Sequence, residues 1–165
     1  MESLFVDLIG LLERNLPWLR TIDEDYGQLE NIDDENADMY PLIFPAVLIE
    51  TPETQWSDID NCAQLGECTL RVRLLIDCYD DTHAGSHTVD KIMEREEKRR
   101  SLHRLLQGHR VGEEGALIRK ESKFFTFNHG IKIYEATYTC AVREAIQEKA
   151  KVRKQQISVV VESVK

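Results

Sequence analysis

Acidic residues and histidines that could bind a divalent metal ion cluster near the middle of the chain. They are Asp77, Asp80, Asp81, His83 and His87. Two imidazoles four positions apart can share one metal ion when both lie on a helix, but a glycine stands between these two histidines and no third ligand follows at a recognisable spacing. We therefore expect a polar loop between a strand and a helix here, and no metal site.

A second candidate is the fragment Glu121-Ser122-Lys123, which matches the E-x-K pattern of metal-dependent nucleases. In that chemistry the carboxylate binds a divalent ion, and the lysine orients a water or stabilises charge in the transition state. The site also needs an aspartate at the start of a preceding strand. Asp77 is the nearest such residue, and it is separated from the fragment by a predicted helix. A nuclease that uses Glu121 and Lys123 is therefore only an alternative function.

The cysteines show neither a metal-binding spacing nor the surroundings of a nucleophile. Cys62 and Cys68 are six positions apart. The segments around Cys68, Cys78 and Cys140 alternate apolar and polar residues, which favours small, buried, hydrophobic cysteines. Glycine-rich phosphate-binding motifs do not occur in the sequence. We therefore expect a protein that is not an enzyme and that binds no metal or cofactor.

Charge is distributed unevenly over the 165 residues, whose formal net charge is −9. Residues 1–60 carry 15 acidic and two basic side chains, a net charge of −13, and residues 61–165 carry 15 acidic and 19 basic ones, a net charge of +4. The densest acidic tract, residues 23–38, repels nucleic acid. Basic residues of the second predicted helix alternate with glutamates, so we expect no sequence-specific nucleic-acid binding. Unlike charge in the two halves suits a subunit that meets its neighbours through different faces.

Hydropathy argues against a membrane protein. The hydrophobic fraction of 42% is enough for a packed core. No run of apolar residues reaches the roughly 18 that a membrane span requires. The N-terminal segment also lacks the positive charge of a signal peptide. We therefore expect no membrane partner.

The N-terminal part of the chain is predicted to be one helix followed by an irregular segment. Apolar residues recur at helical spacing between Leu4 and Leu12, and Pro17 indicates that the helix ends by Asn15 or Leu16. Residues 20–41 contain most of the acidic tract and no clear period, which indicates an acidic irregular segment.

A short apolar strand and a loop are predicted next. Residues 42–50, LIFPAVLIE, are rich in β-forming side chains, and Pro45 makes them either an edge strand or a strand that begins at Ala46. Residues 51–66 contain several turn-forming residues, and Trp56 is their one aromatic side chain. We interpret this stretch as a loop.

The remaining predicted elements are a long strand, a helix and a hairpin. Residues 67–79 alternate apolar and polar side chains with a period of two, which is typical of a strand with one buried face. A helix is predicted over residues 88–107. Residues 116–128 and 130–144 form two strands joined by a tight turn at a glycine.

These elements predict an α+β fold. Two helices pack on a mostly antiparallel sheet of about four strands, in the order helix, strand, strand, helix, strand, strand. Residues 1–147 form a single domain. Residues 148–165 are a charged linker followed by a β-rich C-terminal arm at 157–164, which we expect to pair with a sheet edge of its own subunit or of a neighbour.

The layout of residues 1–143 resembles the tail terminator, or tail completion, proteins of tailed bacteriophages and prophages. The resemblance lies in the strand PAVLIE at 45–50, the strand GECTLRVRLLIDCY at 66–79 and the helix end LHRLLQGHRV at 102–111, followed by a closing pair of strands. The acidic segment and the C-terminal arm are longer than the family pattern, and a head-to-tail joining (neck) protein of similar fold is the alternative that they leave open.

The resemblance implies a structural virion protein without catalytic residues. Members assemble as a ring, usually a hexamer, on the last ring of tail tube protein. The ring ends tube polymerisation and presents a face to the head–tail connector proteins. The implied location is the virion tail, and the bacterial host cytoplasm during assembly.

Candidate interface residues lie on the predicted loop, on the polar face of the long strand and in the C-terminal arm. These are Trp56, Arg71, Arg73, Ile157, Val159 and Val161.

Overall fold

A computed structural model describes residues 2–34, 41–60, 62–86, 88–110 and 115–145 of the chain. The elements in chain order are α1 (Glu2–Asn15), β1 (Thr21–Glu24), β2 (Ala46–Ile49), β3 (Glu53–Asp60), β4 (Ala63–Ile76), α2 (Asp90–Leu106), β5 (Ile118–Phe127), a 3-10 turn (Asn128–Gly130) and β6 (Ile131–Ala145). Two helices and a mostly antiparallel sheet confirm the predicted α+β class. The predicted arm at 148–165 lies outside the described residues.

The sheet has six strands rather than the four that were predicted, in the order β1-β2-β4-β6-β5, with β3 also paired to β4. Strands β1 and β2 are parallel, and every other pairing is antiparallel. Because β4 is 14 residues long, two short strands share its edge. β3 pairs with its first half and β2 with its second half.

The main hydrophobic core lies between the helices and one face of the sheet. Alternation along β4 directs Cys68, Leu70, Val72, Leu74 and Ile76 to this face, as predicted. The helices contribute the leucines that recur along α1 and the two at the end of α2, and each buried leucine contributes about 1.5–3 kcal/mol. β6 contributes Tyr138 and Cys140 to the same core, and Cys140 was predicted to be buried.

The opposite face of the sheet carries a second, smaller core, which the sequence did not indicate. Leu75 and Ile133 are fully buried there beneath Leu29. Leu29 belongs to the segment predicted to be irregular, which instead contains β1 and a turn that packs on the sheet. That prediction was wrong because β1 has only four residues and one large apolar side chain, Ile22, so it has no readable period.

The stretch 51–66, predicted to be a loop, forms β3 and the start of β4. Nearly every residue of β3 is exposed, so no alternation of apolar and polar residues marks it. It is a strand because its backbone pairs with β4 from Glu53↔Thr69 to Asp60↔Ala63. The two strands form a hairpin, which we call the β3–β4 hairpin (residues 53–70).

The second hairpin is confirmed. β5 and β6 pair over their length, with a bulge between Arg119 and Glu121. The connection is a 3-10 turn that ends at Gly130, where φ is +93° and a Cβ atom would lie 2.6 Å from the carbonyl oxygen of Cys78. Both the dihedral angle and the close approach require glycine at this position.

Candidate functional site

The residues considered for metal binding do not converge. His83 Nδ1 lies 2.5 Å from Asp81 Oδ1 in an exposed loop, and Asp77 immediately follows β4. His87 lies outside the described residues. Among the residues that the structure describes, no group of three or more histidine, cysteine or carboxylate side chains is placed to hold a metal ion.

Glu121 and Lys123 lie on the exposed strand β5, with Lys123 Nζ 3.4 Å from Glu121 Oε1. Glu121 pairs opposite Thr137 of β6, whereas the residue before Asp77 pairs opposite Lys132. Five residues of strand separate these positions by roughly 17 Å. The structure therefore does not bring Asp77 to the E-x-K fragment.

All four cysteines, each within the described ranges, are free thiols. Cys68 and Cys140 are buried and lie opposite each other on β4 and β6, in agreement with their prediction as core residues. Cys78 accepts a hydrogen bond at Sγ from Arg95 Nη1, at 2.8 Å. The hydrogen-bond partner of Arg95 Nη1 is therefore a sulfur and not a carboxylate.

Trp56 lies on β3 and not in a loop. Its ring packs over Gly66, so that a Cβ atom at Gly66 would lie 2.9 Å from Trp56 Cε3. The side chain remains 39% exposed, and Ile59 and Leu65 of the same hairpin are also exposed. The β3–β4 hairpin thus presents large apolar side chains to solvent.

The same hairpin is acidic. Residues 53–70 contain four carboxylates and no lysine or arginine. Asp58 accepts a hydrogen bond from Gln64 Nε2 at 2.8 Å, and Asp60 accepts one from the backbone N–H of Cys62 at 2.7 Å. Both partners are uncharged, so both negative charges remain available to another molecule.

Arg73 is already engaged within its own subunit. Its side chain is only 12% exposed and forms ion pairs with Asp25 and Glu30, the latter at 2.6 Å. The hydrogen bond from Arg73 lowers the pKa of Glu30, against the opposing effect of burial.

Arg71, which lies on the same face of β4, is 46% exposed. It lies 3.2 Å from Glu50 and 3.8 Å from Glu135. The interface role of both arginines stays a prediction, as does that of Ile157, Val159 and Val161, which lie outside the described residues.

An open groove of about 740 Å³ lies between α2 and the β5–β6 hairpin, and sequence reasoning did not identify it. It forms because α2 packs on the sheet through its C-terminal leucines, while the N-terminal half, with the exposed residues Ile92 and Met93, leaves the sheet uncovered. Five lysines and arginines line it against two glutamates, a net charge of +3. The basic residues are Arg95, Arg99, Arg119, Lys123 and Lys132.

Arg95 is the unusual residue of this groove. It is only 8% exposed, its Nε has no hydrogen-bond partner, and no carboxylate within the described ranges forms an ion pair with it. A buried guanidinium normally has a carboxylate beside it, because desolvation of an unpaired charge is costly. The groove therefore contains a cation that lacks an anionic partner.

Two pairs of polar side chains within the groove bond to each other, Arg99 with Glu96 and His103 with Tyr138. Arg99 hydrogen-bonds Glu96 and lowers the pKa of that carboxyl to about 2. His103 Nδ1 lies 3.0 Å from the hydroxyl of Tyr138. Burial raises the pKa of Tyr138 to about 12, and burial together with the charge of Arg119 lowers the pKa of His103. His103 is therefore held neutral and adds no charge at neutral pH.

Aromatic side chains form the strand side of the groove. Phe124 stacks on Tyr134 with ring centroids 4.6 Å apart, and Lys132 Nζ lies 5.8 Å from the Phe124 centroid. Phe124 is more than half exposed. The groove thus combines positive charge with exposed apolar surface, which is the composition of a surface for an acidic, apolar partner.

No helix in the described part of the chain is both long and apolar enough to cross a membrane. No protein-family model matches the chain, and no curated protein sequence matches it.

Proposed function

We propose that this chain is a structural subunit of a phage or prophage tail. Copies of it join into a closed ring, hexameric in the family that it resembles, which caps the tail tube, ends tube polymerisation and joins the tail to the head. The resemblance of three segments to tail terminator proteins supports this function, and the α+β architecture is compatible with it.

The observation that carries the proposal is the exposure of large apolar side chains on two separate parts of the sheet. One group lies on the β3–β4 hairpin and the other at the end of β5 next to the 3-10 turn, where Phe124 and Phe125 are exposed. Exposed apolar patches commonly mark protein–protein contacts. Because the two groups differ in position and charge, a contact between them is head-to-tail, and such contacts generate closed rings when the rotation closes.

The mass of the purified chain tests ring formation. Light scattering at increasing protein concentration should give a mass near six times the 19.1 kDa of one subunit. Electron microscopy of the same sample should show rings. A mass of one subunit at every concentration up to about the millimolar range, where even weak contacts form, would contradict the proposal.

Tube capping is tested with the tail tube protein of the same phage. Tubes assembled in the presence of the chain should be shorter than tubes assembled without it, because a bound ring blocks further addition. Length distributions from electron micrographs give the result. Unchanged tube lengths at saturating chain would show that the ring has another role.

A structural subunit and a nuclease are distinguished by their action on DNA. If the chain is a structural subunit, incubation with DNA and Mg²⁺ should leave the DNA intact, and Glu121→Ala should behave as the unmodified chain. Divalent-ion-stimulated cleavage that Glu121→Ala abolishes would replace the proposed function by an enzymatic one.

A further inference from the structure

The groove between α2 and the β5–β6 hairpin has the composition of a docking surface. Within the described residues, Arg95 has an Nε without a hydrogen-bond partner and forms no ion pair with a carboxylate, although it is nine-tenths buried. Around it the lining carries a net charge of +3 and the exposed apolar side chains of Ile92, Met93 and Phe124. A complementary partner must present carboxylates next to apolar groups.

One surface of the same protein has this composition. The β3–β4 hairpin carries four carboxylates and no basic residue. Asp58 and Asp60 flank the exposed Ile59, and Trp56 lies on the same strand. The hairpin is also a rigid shape, since β3 is paired to β4 from Glu53↔Thr69 to Asp60↔Ala63 and β4 is paired in turn to β6.

The end of the hairpin that carries Asp58 and Asp60 is too far from the groove of its own subunit to reach it, because Asp58 lies level with Glu144 of β6, six residues or roughly 20 Å along the strand from Tyr138 of the groove. β3 lies on the outer side of β4, whereas β5 lies on the outer side of β6, so the two are on opposite edges of the sheet. The hairpin turn is near Ala63, paired opposite Ala145, while Lys132 in the groove pairs opposite the other end of β4. The occupant must therefore come from a second copy.

We propose that the β3–β4 hairpin of one subunit docks into the groove between α2 and the β5–β6 hairpin of the next. The carboxylates of Asp58 and Asp60 then meet the groove cations, and Trp56 and Ile59 cover its apolar side chains. This is a head-to-tail contact between unlike surfaces, and it repeats around a ring. The inference rests on the proposed ring and assigns the contact that holds it together.

Charge reversal on the two surfaces tests the contact. The hairpin variant is Asp58→Lys with Asp60→Lys, and the groove variant is Arg119→Glu with Lys132→Glu. In each variant alone, the hairpin and the groove that should meet carry charge of the same sign and repel each other. Under conditions in which the unmodified chain forms rings, each variant should therefore have the mass of one subunit, 19.1 kDa. A one-to-one mixture pairs opposite charges at every contact and should recover the ring mass.

Matched reversals elsewhere control for the change in net charge. Asp7→Lys with Glu13→Lys alters exposed positions of α1, and Arg100→Glu with Arg104→Glu alters exposed positions of α2 that do not line the groove. Both should keep the ring mass. Circular dichroism verifies the fold of every variant. If a double variant does not fold, the single changes Asp58→Lys and Lys132→Glu replace it.

The outcomes separate the contact from the ring. Rings that persist in either reversal variant, or a mixture that stays at the mass of one subunit, would overturn the docking of hairpin into groove while leaving the proposed ring intact. An unmodified chain that never assembles would overturn both. Loss of assembly in each variant together with its recovery in the mixture supports this contact specifically, because a different contact would not be restored by mixing.

Discussion

Arg71 and Arg73 lie two positions apart on one face of β4, yet their electrostatic environments differ. Arg73 is 12% exposed and held between two carboxylates, whereas Arg71 is 46% exposed. Removing one partner from a buried ion pair leaves an uncompensated charge, whereas an exposed pair is screened by water. The same residue type on the same strand face therefore contributes differently to stability.

Replacement of each arginine by methionine should show this difference. Arg73→Met should lower the free energy of unfolding by about 3 kcal/mol, because Asp25 remains buried without its partner. Arg71→Met, the matched control, should cost less than about 1 kcal/mol. Urea denaturation measures both values. Equal losses would mean that Arg73 does not stabilise this part of the fold.

The contribution of Arg73 should also depend on pH through Glu30. The folded-state pKa of Glu30 lies below its ordinary value of 4.5, so the ionised pair stabilises the fold above that pH and the stabilisation is lost as pH falls through the folded-state pKa. The difference in unfolding free energy between the unmodified chain and Arg73→Met should shrink from about pH 7 to about pH 3. Adding Glu30→Gln to both proteins should remove the part of this pH dependence that comes from Glu30. If the difference in unfolding free energy still shrinks by the same amount between these pH values, Glu30 is not its source.

At the scale of elements, the packing of the β3–β4 hairpin requires a residue without a side chain at Gly66. A Cβ atom there would lie 2.5 Å from Thr54 Cγ2, 2.8 Å from Val142 Cγ2 and 2.9 Å from the Trp56 ring. Two strands, β3 and β6, contribute these atoms, and both strands pair with β4, so neither can move away without disturbing a strand pair. The absence of a side chain at this position is what lets Trp56 lie flat on the sheet.

Gly66→Ala should therefore lower the free energy of unfolding by about 2 kcal/mol through overpacking. Gly10→Ala is the matched control, because a Cβ atom at Gly10 would meet only the end of the flexible Arg14 side chain, at 3.2 Å. This change should raise stability by about 0.5–1 kcal/mol, since alanine favours the helix. Chemical denaturation measures the change in the free energy of unfolding for each substitution and shows whether the two changes have opposite signs. If Gly66→Ala leaves the free energy of unfolding unchanged, the hairpin can shift to accommodate the added Cβ atom.

At the scale of the whole molecule, the proposed assembly joins surfaces of opposite charge. Exposed charges are screened over about 10 Å at 0.1 M salt and about 3 Å at 1 M salt. The ring mass measured by light scattering should therefore fall toward the 19.1 kDa of one subunit as salt is raised through this range. Far-UV circular dichroism at each salt concentration verifies that the fold persists. A mass that stays constant or increases would indicate a contact governed by apolar burial alone.

Local periodicity was sufficient to predict α1, the buried alternation of β4 and the β5–β6 hairpin. α1 and β4 each have a pattern that repeats within their own residues and decides which face is buried, whereas the hairpin was predicted from the tight turn at Gly130. It was not sufficient for β1 and β3, whose residues are too few or too polar to show a period. These two strands exist because neighbouring strands offer them a free edge.

The amino-acid sequence by itself determined the α+β class, the helix-facing side of the sheet and the separation of charge between the two halves of the chain. Only the tertiary structure decided which charged side chains form ion pairs within the subunit. Arg73 meets Glu30 across 43 positions, whereas Arg95 meets no carboxylate within the described residues. The groove likewise arises from the packing of α2 against strands that follow it. Such contacts depend on strand order and on where a helix rests on a sheet, and neither property is encoded in the spacing of neighbouring residues.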